Sequence, residues 1–458
     1  MRRIWPIACL VFCLHMSAAS AQQPDSDLWT RSNLLGDLGG ARSFLSDHGL
    51  TFGIQDINEL LANVSGGVRQ GASYDGVTLF GVGLDTQKAG AWDGGLFNVD
   101  AFNIRGRNIS TDNLLNLQTA SGFLASDTTR LWEFWYQQSF LGGAIDVKLG
   151  QQSLDQEFMT SQYASLFVNT AMGWAVLPSV DLYAGGPAYP LSSLGVRLRA
   201  HPTDNVTALL GVFDDNPPGG PFNADGQLLG STRWGANVSL RTGALIIGEV
   251  QYALNPLDRD GGTTNGLPGI YKLGAWFDTA PFPDQQFDNT GLSLANPASN
   301  GVALMHRNNF SIYAVADQMV WHEAPDSPRS LGVFARVMGG PGDRNLISFS
   351  ADAGVSLKAP FQGRDSDTFA IGFGVAKIGG AAQALASDTA FFSGTPVPAR
   401  TVETFIEVTY QVQVSGWWQV QPDFQYVFRP SGGIVNPSNP TQRVGDEAIL
   451  GVRSIVTF

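Results

Sequence analysis

From residue 50 to the end of the chain, short segments of alternating apolar and polar residues recur between clusters of Gly, Pro, Asn and Asp. In residues 195–200, Val196, Leu198 and Ala200 point one way and Arg197 and Arg199 the other, because successive side chains of a strand leave opposite faces. Trp132, Phe134 and Tyr136 alternate with Leu131, Glu133, Trp135 and Gln137 in the same manner. So do Val238 and Leu240 with Asn237, Ser239 and Arg241. In residues 347–358 the pattern runs from Ile347 and Phe349 to Val355 and Leu357, with Ser348, Ser350, Asp352, Ser356 and Lys358 between. Ile406, Val408, Tyr410, Val412 and Val414 alternate with Glu407, Thr409, Gln411 and Gln413. A period of 2 repeated this often predicts a sheet with two unlike faces. Gly142-Gly143, Thr242-Gly243 and Ser415-Gly416 are spaced as tight hairpin turns. Longer stretches rich in Gly, Pro, Asn and Asp at 214–225, 281–300 and 430–446 predict long loops on the opposite rim. About 17 candidate strands can be marked out, and a closed single-chain barrel of this kind takes an even number. The surplus falls at 281–300. The expected fold is all-β: a transmembrane antiparallel β-barrel of about 16 strands with a short N-terminal helical segment.

Composition supports a barrel over the alternatives. The 458 residues hold 54 glycines, only 15% charged residues and 11% aromatics. Mean hydropathy is -0.01. No run of roughly 20 apolar residues marks a membrane helix. The first 21 residues read as a secretory leader: Arg2 and Arg3, an apolar run from Ile4 to Leu14, and the small-residue cleavage site Ala19-Ser20-Ala21. The only two cysteines, Cys9 and Cys13, lie in that leader. The exported chain therefore has no thiol for a disulfide, a nucleophile or a metal site. Removing Arg2 and Arg3 from 27 basic residues leaves 25 against 40 acidic ones, a formal net charge of -15. Such a balance does not suit a nucleic-acid binder. Residues 22–49 precede the barrel. Asp37 is placed to cap a short helix carrying Leu38, Ala41, Phe44 and Leu45, ended by Gly49, which packs in or under the periplasmic mouth. At the other end, Ala448, Leu450, Val452, Val456 and the terminal Phe458 share one face of a last strand, with Ser454 as the exception. Leu450, Val452, Val456 and Phe458 are the pattern expected of a barrel-assembly signal. The domain plan is a signal peptide at 1–21, a periplasmic or plug-like helical segment at 22–49 and the barrel at 50–458.

Several motifs resemble the carbohydrate-selective porin family of the OprB type. They are Gly36-Asp37-Leu38-Gly39-Gly40-Ala41-Arg42, Arg105-Gly106-Arg107, Leu131-Trp132-Glu133-Phe134-Trp135-Tyr136-Gln137-Gln138, Gly150-Gln151-Gln152 and Asp155-Gln156-Glu157-Phe158. Phe167-Val168-Asn169, Gly185-Gly186-Pro187-Ala188-Tyr189-Pro190, Gly195-Val196-Arg197 and Gln421-Pro422-Asp423-Phe424-Gln425-Tyr426 continue the likeness. The resemblance implies a barrel of about sixteen strands, passive uptake of glucose-like sugars and a constriction of charged and polar residues. The expected partners are carbohydrate solutes, outer-membrane lipid and lipopolysaccharide, and the barrel-assembly machinery. Nucleic acid, cofactor and metal are not expected. The chain could be a monomer or a homotrimer.

A sugar pore needs side chains that replace part of a solute's hydration without holding it. Arginine and carboxylates exchange hydrogen bonds with hydroxyls, and Trp stacks on a pyranose. Glu133, Trp135, Lys148, Arg197 and Arg199 lie on inward faces of the motif-bearing strands. Arg105, Arg107, Asp155 and Glu157 are secondary candidates at strand ends or in loops. Any of them could instead be an ion pair of the barrel wall. Lys148, Arg197, Arg199, Arg241 and Lys358 on inward faces would favour anions locally. Residues 153–190, long and rich in Phe, Tyr, Trp and Gly, are placed to fold inward and narrow the pore. Enzyme readings lack a basis: there is no Gly-x-Ser-x-Gly elbow, and His322-Glu323 lacks the second histidine of a zinc protease helix. A pore for polyols or organic acids, or a barrel enzyme, remains the alternative.

Overall fold

The computed structural model describes residues 27–222, 234–236, 240–256, 266–324 and 327–458. The expected leader and the segment 237–239 lie outside them. Sixteen antiparallel strands close a barrel. They are β1 (Leu50–Gly67), β2 (Gly71–Asp85), β3 (Gly95–Gly106), β4 (Thr128–Phe140), β5 (Ile145–Gln152), β6 (Ser193–Thr203), β7 (Val206–Asp214) and β8 (Ala244–Leu254). The second half comprises β9 (Gly269–Asp288), β10 (Ala303–His322), β11 (Ser330–Gly339), β12 (Ile347–Lys358), β13 (Thr368–Ile378), β14 (Val402–Ser415) and β15 (Trp418–Phe428). A small ribbon, β16 (Val435–Asn436) with β17 (Asn439–Arg443), decorates the last loop before β18 (Gly445–Thr457). Strand β18 pairs with both β15 and β1 and closes the barrel. Closure leaves no free sheet edge, as the hydrocarbon of a membrane requires.

Alternation supplies the two faces. Outward Val196, Leu198, Phe373, Leu450 and Val452 are exposed, while inward Arg197, Glu407, Glu447 and Arg453 are buried. Where the alternation misleads, a bulge is the reason. The ladder slips between Asp100 and Ala101, which face Glu133 and Leu131, so Trp132 is the extra residue. It turns inward beside Glu133, against Phe102 and Tyr189, and does not share the outward face of Phe134. The slip at Ser348 likewise turns Ile347 into the core. One extra residue changes which face the following side chains occupy.

Gly142-Gly143 and Ser415-Gly416 do lie at short turns. Thr242-Gly243 does not: it ends the long connection between β7 and β8. The stretch 281–300 is half strand. Strand β9 runs through Pro281 and Pro283 to Asp288, so 269–322 is one long hairpin, which restores even parity. Pro281 faces Arg307 next to a slip in β10 where Asn308 has φ 66. Proline is tolerated in a sheet at such irregularities.

The described N-terminal residues from 27 onward and the C-terminal end of β18 meet at the rim of short turns. Helix α1 (Ala41–Asp47) is capped from a distance: Ser43 N–H donates to Asp37 Oδ1 at 2.8 Å. Leu38 precedes the helix in a left-handed turn. Arg42 donates to the carbonyls of Phe52 and Phe458, both at 3.0 Å, and so ties the helix to the first and last strands. At the other rim, the connection between β5 and β6 turns into the lumen. Its short helices α2 (Thr170–Gly173) and α3 (Val176–Asp181) pack Met172, Ala175, Val176 and Leu177 against inward Trp276, Tyr313, Phe334 and Phe405 in one core. A second connection, 107–127, adds Ile109, Leu114 and Ala120 to it.

The exposed outward face predicts a stability effect. Phe373→Arg places a charge near the middle of β13, where an arginine facing hydrocarbon costs about 2–4 kcal/mol. Urea titration of folding into phospholipid vesicles should show that loss, with Phe373→Leu close to the parent. Equal stability of the two variants would contradict the lipid-facing assignment.

Candidate functional site

The inward loop is held by carboxylates. A segment that leaves the sheet and enters the lumen carries peptide N–H groups that must find partners. The barrel wall provides them. Met159 N–H donates to Glu249 at 2.8 Å, and Gln162 N–H to Asp317 at 2.9 Å. Val168 and Asn169 N–H donate to the two oxygens of Glu407 at 2.5 and 3.1 Å. Arg336, paired with Asp352, donates to the carbonyls of Met159 and Gly173. Glu403 receives Leu117 and Gln118 N–H of the second inward connection at 2.8 and 2.7 Å. Two wall glycines make room. A Cβ on Gly332 would meet the Tyr163 ring at 2.2 Å, and one on Gly372 would meet Met172 at 2.7 Å.

The loop delivers Glu157 to the wall formed by β4, β5 and β6. The ladder sets Lys148 opposite Arg197 and Asp146 opposite Arg199. Two cations directly opposite repel. Glu157 resolves this by pairing with both Lys148 and Arg197, the latter at 2.7 Å. Asp146 pairs with Arg197 and, at 2.7 Å, with Arg199. Arg197 also donates to Gln137 at 2.9 Å. The Lys148 ammonium lies 4.8 Å from the centre of the Trp135 ring. Trp135 Nε1–H donates to Glu133 at 3.0 Å, and the other Glu133 oxygen accepts Ser153 N–H where the loop begins.

Exposure separates the candidates. The Arg197 side chain is 1% exposed and that of Lys148 6%, whereas Arg199 keeps 25% and Glu157 17%. Trp135 is half-buried. Glu133 is buried and anchors the loop. Asp155 is also a loop brace: it accepts Ser153 Oγ–H and Tyr189 N–H, which joins the two ends of the loop. Arg105 is not a lumen residue. Its neighbour Ile104 is in the inward core, so Arg105 points out of the barrel. Arg107 is exposed just past the end of β3. Arg241 precedes β8 rather than lying on a strand face, and Lys358 is exposed at the end of β12. Of the five basic residues first considered, Lys148, Arg197 and Arg199 stand in ion pairs with Glu157 and Asp146. Asp146 and Gln137 were missed by sequence reasoning. Parity puts them on the faces of Lys148 and Trp135, but the partner strand of Asp146 lies beyond a long loop and its register cannot be read.

The profile of the family described as "Carbohydrate-selective porin, OprB family" matches residues 69–458. The chain belongs to this family. Porin B of Pseudomonas aeruginosa is 26% identical over 436 residues, 91% of this chain and 89% of that protein. A putative porin, QuiX, of Acinetobacter baylyi is 22% identical over 432 residues, 89% and 91% of the two chains. The high-pH structure of Pseudomonas putida OprB shares the fold with a TM-score of 0.83 at 24% identity, covering 94% of this chain and all of that one. The protein is an outer-membrane carbohydrate porin.

In this porin, Arg197 and Arg199 should respond differently to substitution. Arg197→Gln removes the buried cation that Asp146 and Glu157 share and leaves each with one partner, Arg199 and Lys148, a loss that costs stability by up to about 3–5 kcal/mol. Arg199→Gln should fold like the parent, because its head group is partly in solvent, yet alter single-channel conductance. Denaturant midpoints and bilayer recordings on both variants decide. Equal stability losses would remove the distinction between wall and solute-facing cations.

Proposed function

We propose that carbohydrates cross by diffusion along the β4–β6 wall, past Arg199, Trp135 and Glu157, with residues 153–190 forming the constriction. The observation that carries this reading is the loop's Glu157 inserted between Lys148 and Arg197 while Arg199 and Trp135 stay partly open. A guanidinium and a carboxylate offer donors and acceptors to sugar hydroxyls. The indole face meets the apolar face of a pyranose. Such contacts are weak and many, which allows exit as well as entry. Burial of Lys148 and Arg197 in ion pairs supports a fixed shape for this wall rather than a mobile one. Outer-membrane barrels have short turns towards the periplasm, and on that rule α1 and the C-terminal end of β18 lie at the periplasmic mouth. The outward apolar positions Leu450, Val452 and Val456 of β18, with Phe458 just beyond it, fit recognition by the assembly machinery, since β18 is the strand that closes the barrel.

Liposome swelling with mono- and disaccharides, an amino acid and an organic acid of similar size tests the reading. Sugars should enter fastest. Trp135→Ala should weaken sugar block of the ion current several-fold while leaving folding intact. Deletion of residues 158–185 should raise conductance if the loop is the constriction. Unchanged conductance after that deletion would overturn the loop's role, and equal swelling by all solutes would overturn sugar selectivity.

A further inference from the structure

Four cations converge on one short stretch of chain at the rim of long connections. The stretch is residues 399–402, which leads into β14. Lys377, the last outward residue of β13, stands opposite Val402 in the ladder. Arg429 follows the end of β15 and donates to the Thr401 hydroxyl at 3.3 Å. Arg443, which ends β17, donates to the Ala399 carbonyl at 3.1 Å. Arg400 itself donates to the Ser431 carbonyl at 2.7 Å. Lys377, Arg429 and Arg443 are exposed, and Arg400 is half-buried.

The groups that hold these cations are neutral. Each of the three guanidinium groups bonds to a carbonyl or hydroxyl oxygen. None of the four cations forms an ion pair with a carboxylate among the described residues. An exposed acid stands beside them, Asp446, and it accepts the backbone N–H of Arg429 at 2.8 Å. Glu403 is buried on the inward face and accepts the N–H groups of Leu117, Gln118 and Ser431. The inward cations Lys148, Arg197, Arg336 and Arg453, by contrast, all have carboxylate partners. Like charges brought together repel. In a chain with 40 acidic residues against 27 basic ones, a cation cluster without carboxylate partners points to an anion from outside.

The surroundings select the anion. Lys377 stands above outward Phe373 and Ile371 on β13. Ile406 of β14, opposite Phe373, and Phe424 and Phe428 of β15 continue this exposed apolar surface. A ligand that meets both the cations and this surface carries acyl chains as well as negative charge. The connections 379–401 and 429–444 are long, so this rim is the outer one by the orientation given above. Arginine grips phosphate through parallel hydrogen bonds, and basic pockets at a membrane edge hold anionic head groups.

We propose that Lys377, Arg400, Arg429 and Arg443 bind the phosphate groups of a lipopolysaccharide whose acyl chains lie on the outward face of β13, β14 and β15. The site rests on the barrel's orientation and not on which solute crosses the pore.

The test is retention of purified lipopolysaccharide by the full-length exported protein in mild detergent, read as native mass. A chelator is present so that no divalent ion joins phosphate to carboxylate. The parent should retain the intact lipid and hold the same lipid several-fold less once its phosphates are removed. Lys377→Gln with Arg429→Gln should weaken retention about tenfold or more, with folding checked by circular dichroism. Lys88→Gln with Lys358→Gln, which removes two charges at the opposite rim, should bind as the parent does. Equal retention of the phosphorylated and dephosphorylated lipids overturns the proposal. So does a Lys377/Arg429 double variant that binds like the parent. Inorganic phosphate held as tightly as the lipid assigns the cluster to free anions and equally overturns it. Should the double variant not fold, Lys377→Gln alone, a change on the exposed surface, carries the same comparison.

Discussion

The structure depends on how peptide groups are satisfied once the chain leaves the sheet. Within the barrel every strand bonds to two neighbours, and the wall needs nothing further. Residues 153–192 and 107–127 give up that arrangement by entering the lumen. Their N–H groups meet Glu133, Glu249, Asp317, Glu403 and Glu407, and their carbonyls meet Arg336, Gln421 and Gln425. Hydrogen bonds to charged groups contribute about 1.5–3 kcal/mol each, and a partner lost from a buried peptide group costs about as much again. The excess of 40 acidic over 27 basic residues follows in part from this use. Many acids that alternation assigns to the pore are not facing solute; they hold the loops that shape it.

The same constraint positions the wall of β4, β5 and β6. Lys148 and Arg197 face each other across β5 and β6 and would repel if the lumen were empty. Glu157 can stand between them because the loop is fixed on either side, at Ser153 by Glu133 and at Met159 by Glu249. Loop placement and wall electrostatics are therefore one problem. Neither the three charged residues nor the loop has this geometry without the other.

Period-2 alternation made the barrel, its two faces and most strands legible, since facing is a local property of the chain. The inward facing of Arg197 and Arg199 followed from Val196 and Leu198 alone. What local alternation cannot carry is register across long connections and the position of bulges. Trp132 looked outward because its neighbours Phe134 and Tyr136 have the right spacing; one extra residue opposite Asp100 reverses it. Arg105 looked like a pore residue because it stands in a likeness motif, but parity counted from Ile104 sends it out. Asp146 was overlooked because its partner Arg199 is more than fifty residues away. Gly332 and Gly372 read as ordinary strand glycines until the side chains of Tyr163 and Met172 are seen against them.

The outward face carries the converse lesson about polar groups. Inside the barrel, an acid among apolar neighbours is explained by a loop amide within hydrogen-bond distance. Outside, among the described residues, the head group of Arg105 bonds to Asp56, Asn58, Tyr74 and Thr78, which all lie on the same face. Side chains that only satisfy one another on a flat surface remain open from above, as the partial exposure of the pair shows. In water this is an ordinary surface network of small energetic consequence. In hydrocarbon, the remaining donors have no solvent to turn to, and the free energy of covering them becomes available to whatever surface can match them.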